Sequence, residues 1–125
     1  MHTHIENVTN EHEEWKNTLA LYKDELHFFR NRLDEVSSKN NTKPVLEELE
    51  HFQNQFDIHS EKISKLEHEI NQYVHAVSTE SEQHANHVTT GTLEEFAVLK
   101  EKMKTTTHLF GELKTGFMHF LEKVL

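Results

Sequence analysis

Apolar residues recur along this chain in alternating steps of three and four, in three blocks of similar length. The first runs Ile5, Val8, His12, Trp15, Leu19, Tyr22, Leu26, Phe29, Leu33 and Val36. The second runs Val45, Leu49, Phe52, Phe56, His59, Ile63, Leu66, Ile70, Tyr73 and Val77. The third runs Phe96, Leu99, Met103, Thr106, Phe110, Leu113, Phe117, Phe120 and Val124. Such spacing lays one stripe along a helix, whereas a strand would need alternation with a period of two. Sustained over several heptads, it is the pattern of coiled-coil packing.

Local signals mark where each block stops. "SSKNNTKP" after Val36 reads as a turn, with Thr42 or Asn41 as a helix cap. Pro44, the only proline, suits the first turn of the next helix, where a missing N–H leaves no bond unmade. "TGTLEE" gives a second break, with Thr92 and Glu95 spaced as a capping box. The predicted helices cover about 4–39, 43–78 and 92–125, with residue 88 as the alternative end of the second. At 1.5 Å per residue each is roughly 50 Å long. The expected fold is all-α: an elongated antiparallel three-helix bundle with heptad, coiled-coil-like packing, as a single domain over residues 1–125. The length, the three helices and Trp15 in the first are broadly similar to a spectrin-type repeat, an architectural similarity that brings no residue-level motif with it.

Folding each block back on the one before predicts the layers of the core. Around the first turn, Phe29 should face Phe52, Tyr22 should face His59, and His12 should face Ile70. Around the second, Val77 should face Met103, Tyr73 should face Thr106, and His59 should face Phe120. Two buried polar pairs are therefore expected, Tyr22 with His59 and Tyr73 with Thr106, each satisfying its partner. His12 finds no partner in this scheme and is expected to reach solvent at the bundle's edge.

Composition narrows the use of such a bundle. Only 34% of residues are apolar, as suits helices that each hide one stripe. No apolar run approaches the ~18 residues that would span a bilayer, and the N-terminus carries no signal-peptide pattern. A cytoplasmic protein without membrane association is the expectation. The absence of cysteine excludes disulfides, thiol nucleophiles and thiolate metal sites. With 13 basic against 22 acidic residues and no basic stripe, a nucleic-acid partner is not expected. The twelve histidines stand out: their protonation alone would carry the formal charge from −9 to +3.

Histidine with carboxylate raises the question of a metal. Glu48-x-x-His51 and Asp24-x-x-His27 have the spacing of ferritin-like di-metal ligands. The heptad register turns His51, Asp24 and His27 outward, however, and His108 with Glu112 likewise. A better cluster is Glu80, His84 and His87, at steps of four and three in "TESEQHANHV". On a helix these share one face, and His2 and His4 would come to the same end of the bundle. Such a set suits weak zinc, nickel or copper binding. The same Ser-, Thr- and Asn-rich stretch also reads as the solvated end of a helix. No nucleophile elbow or phosphate-cradling loop is present, and no enzymatic activity is expected.

Some apolar residues remain outside the three stripes: Leu21 and Phe28 stand seven apart on one outer face, and Ile58, Met118 and Leu121 fall at about the same height along the bundle. Clustered on a surface they would form an interface, for a homodimer or for a helical protein partner. Leu121 is also placed to widen the core of its own helix. The functional expectation is a non-enzymatic structural or protein-interaction module that self-associates. A metal-buffering protein using the histidine cluster is one alternative, and a histidine-dependent, pH-responsive assembly is the other.

Overall fold

The computed structural model describes residues 5–83 and 90–125, with side chains described over 11–79 and 91–125. Three helices make up nearly all of it: α1 (Ile5–Lys39), α2 (Lys43–Gln83) and α3 (Thr90–Val124). They pack as an up-down-up three-helix bundle, so that α1 and α3 run parallel and α2 runs against both. α2 passes Val77 and is still helical at Gln83, and α3 is already helical at Thr90. Thr92 therefore lies inside the first turns of α3 and not at its cap.

The first connection is only three residues long, and its own side chains hold it. The Asn40 side-chain carbonyl accepts from the Thr42 amide at 3.3 Å and from the Thr42 hydroxyl at 3.1 Å. This is the local bond that makes Asn a turn residue. The Leu46 amide donates to the Thr42 carbonyl, so Thr42 is the cap of α2 and Pro44 sits in its first turn.

The three stripes meet along the axis. Leu19, Leu26, Phe29, Leu33 and Val36 of α1 are buried against Phe56, Ile63, Leu66, Ile70 and Val77 of α2. Leu99, Met103, Phe110, Leu113, Phe117 and Phe120 close the core from α3. One end is built of aromatic rings: Phe117 lies 5.1 Å from Phe29, 5.3 Å from Phe52 and 5.1 Å from Phe56 between ring centroids. Off-parallel ring pairs at this distance add to the energy of burial alone.

The register differs from the layers expected from sequence, and for two separate reasons. Between α1 and α2, Phe29 meets Phe56, with centroids 5.7 Å apart, and His12 meets Tyr73 at 4.9 Å. Cβ atoms lean toward the N-terminus of their own helix. In an antiparallel pair the two leans are opposed, so side chains touch partners beyond those at the same height. Between α2 and α3 the discrepancy is larger. The ion pairs Lys102–Glu69 (2.6 Å) and Lys123–Glu48 (2.7 Å) both have midpoints between residues 85 and 86. Pairing Val77 with Met103 had assumed a pivot at residue 90. Instead Tyr73 meets Phe96, and His59 meets Phe110.

The two differences in register dissolve both expected polar pairs. The Tyr73 hydroxyl donates to the backbone carbonyl of Thr92 at 2.7 Å, and Thr106 lies well down α3 from it. Tyr22 stacks on Phe110 with centroids 4.1 Å apart and rings 12° from parallel. His59 approaches the same Phe110 edge-on at 6.1 Å. Tyr22 and His59 thus share a neighbour and are not each other's partner.

Candidate functional site

The seams between helices are marked by ion pairs, and these locate the outward faces. Lys23–Glu67 (2.6 Å) and Arg30–Asp57 (2.9 Å) cross from α1 to α2. Lys100–Glu11 (3.6 Å) and Lys114–Glu25 (3.2 Å) cross from α3 to α1. The row Glu11, Thr18, Glu25, Arg32 of α1 therefore faces α3. The row Glu48, Gln55, Lys62, Glu69 of α2 faces α3 as well, from the other side.

Placed on this frame, the five apolar residues separate. Leu21 and Phe28 lie beside the α1 row that faces α3, and they are 54% and 56% exposed. Met118 and Leu121 border the same seam from α3, but Met118 is half-buried against the core and Leu121 is only 8% exposed. Leu121 is thus a core residue, because α3 buries a third position per heptad at its C-terminal end. Ile58 is exposed but borders the α2/α3 seam, on a different side of the bundle. The expected five-residue patch reduces to Leu21 and Phe28. Exposed Val98 and Leu109 join Ile58 on its side. The sequence expectation did not include these two.

The histidines divide into two buried and several exposed. His12 is only 2% exposed, against the expectation that it reaches solvent. Its ring stands edge-on to Trp15 at 5.2 Å, to Tyr73 at 4.9 Å and to Phe96 at 5.7 Å, one ring from each helix. Its Nε2 is buried without a hydrogen-bond partner. Burial pushes the His12 pKa below the usual histidine value, with Lys16 adding to this and Glu11 and Glu13 opposing it. His59 is lowered likewise, by burial first and by Lys62 second. The His12 imidazole is thus walled by one ring from each of the three helices and packs as part of the core.

The metal cluster expected from sequence lies outside what the structure describes. Glu80 falls on the helical backbone of α2, but its side chain is not among those described, and His84, His87, His2 and His4 lie outside the described residues. Among the described residues, no three histidines or carboxylates come together as a metal site. His108 and Glu112 pair with each other on the exposed side of α3. No helix among the described residues is long and apolar enough to cross a membrane.

Comparison with known protein families, with curated proteins and with solved structures finds no match to this chain. Any functional reading therefore rests on the bundle itself.

Proposed function

We propose that this protein is a non-enzymatic helical-bundle interaction module, and that it engages a protein partner through the outer face of α1. One observation supports the reading most: Leu21 and Phe28, one heptad apart, are each more than half exposed on a helix whose core stripe is already complete. Two large apolar side chains about 10 Å apart on one helix face have the spacing that a partner helix reads. Elsewhere on α1 the exposed positions from Glu13 to Glu35 are polar or small, so these two are set apart from their surroundings. Single exposed leucines are ordinary, whereas a repeated pair on one face marks a contact surface.

The reading is tested by placing a photo-crosslinking amino acid at position 28 and, as a control, at position 61 on the outer face of α2. Illumination in cell extract should give discrete protein adducts from position 28 alone, and Leu21→Ser should abolish them. Equal, diffuse adducts from both positions, indifferent to Leu21, would remove the α1 face as a docking surface.

A further inference from the structure

The acidic and basic residues of α1 are segregated, and this bears on what kind of partner the face can take. Between residues 13 and 35 the outward positions are Glu13, Glu14, Asn17, Ala20, Leu21, Asp24, His27, Phe28, Asn31, Asp34 and Glu35. Every one of them is exposed. Five are carboxylates and none is lysine or arginine. The basic residues of the same span, Lys16, Lys23, Arg30 and Arg32, all occupy the seam rows. Lys23 and Arg30 are tied to Glu67 and Asp57 of α2, and Arg32 pairs with Glu35 on its own helix. Lys100 and Lys104 of α3 line a groove with Glu14 at the edge of this face, so its acidic part runs from Leu21 toward Asp34 and around to Glu13.

We infer that the outer face of α1 binds a basic amphipathic helix: two apolar side chains one heptad apart seat on Leu21 and Phe28, and flanking lysines or arginines meet Glu13, Glu14, Asp24 and Asp34. This deepens the interaction reading above and rests on it. The charge pattern also discriminates between occupants. In a two-fold antiparallel pairing of two copies, Leu21 would lie opposite Phe28 of the other copy. Glu14 would then lie opposite the Arg32–Glu35 pair, and Asp24 would approach its own counterpart. A parallel pairing sets every carboxylate against itself. Symmetry makes both arrangements repulsive, and like charges held together across an interface disfavour that partner. A basic partner therefore suits this face better than a second copy of the chain. Anionic lipid and nucleic acid are repelled for the same reason. From Glu14 to Glu35 the face is about 31 Å long, which matches a partner helix of about 21 residues.

A synthetic 21-residue peptide serves as the probe, with leucines at heptad spacing, lysines beside them and both ends blocked. Two controls accompany it: the same peptide with glutamate for lysine, and a lysine peptide of identical composition with the leucines scattered. Binding is read by fluorescence anisotropy, and the solution mass of the free protein by light scattering. The expected result is a monomer that binds the first peptide at least 10-fold more tightly than either control. Leu21→Ser with Phe28→Ser, which changes no charge and no core residue, should weaken that binding at least 10-fold with the helical circular dichroism intact. Binding that the double variant leaves unchanged would be general attraction to an acidic protein, and would overturn the proposal. A dimer that the double variant dissociates would overturn the basic occupant while keeping the interaction module. A monomer that binds none of the peptides would overturn the proposal, and crosslinking from position 28 would then decide the underlying reading separately.

Discussion

The hydroxyl of Tyr73 reaches from α2 to the backbone carbonyl of Thr92 in the opening turns of α3, at 2.7 Å. Its ring is at the same time one wall of the His12 box. One residue therefore fixes the height of α3 against α2 and closes an aromatic cluster shared by all three helices. Tyr73→Phe keeps the wall and removes the bond. It should lower stability by about 1 kcal/mol, read as a lower urea midpoint at unchanged slope.

Acid should weaken the bundle through its two buried histidines. In the unfolded chain each titrates near 6.5, while in the bundle burial lowers both, so the unfolded state binds more protons below that value. Their contribution is fully present above pH 6.5 and is lost as pH falls toward the lowered folded-state values. Urea midpoints measured at pH 7.5 and 5.5 should fall with acid. His12→Leu, which places an apolar residue in the same box, should make that fall smaller. An equal fall in the variant would mean that other groups carry it.

Phe117 touches ring neighbours on α1, α2 and α3 and is fully buried. Phe117→Ala should leave a cavity at the junction and cost about 3–5 kcal/mol. Thermal or urea unfolding reads this directly, and a loss under about 1 kcal/mol would mean that the ring cluster collapses to fill the space.

Gly111 and Gly116 lie within the continuous helix α3, and a Cβ built on either meets nothing within 4 Å. Nothing in the bundle needs these positions small. Alanine at either should stabilise α3 by about 0.5–1 kcal/mol, because glycine loses more backbone freedom on folding. Raised unfolding midpoints for both variants are the expected outcome.

Much of this fold could be read from spacing alone. The three stripes named most of the core, and "SSKNNTKP" placed the first turn, because heptad period and turn chemistry are local properties. Register was less legible. Its α2/α3 part depends on where the second connection turns, and "TESEQHANHV" carries polar residues that suit helix and loop alike. An error of a few residues in that pivot moved Tyr73 from Thr106 to Thr92. The burial of His12 was hidden by both differences in register, since Tyr73 meets it through the offset between α1 and α2 and Phe96 through the pivot between α2 and α3. The surface was partly legible: Leu21 and Phe28 stood out by repetition, while Leu121 could not be told from a surface residue until the breadth of the α3 stripe was known.

The most direct measurement is a map of amide chemical shifts on adding the basic amphipathic peptide to isotopically labelled protein. Shifts concentrated on α1 between residues 13 and 35, strongest near Leu21 and Phe28, are the expected result. Shifts centred on Ile58, Val98 and Leu109 at the α2/α3 seam, with α1 silent, would contradict the assignment of α1 as the docking face.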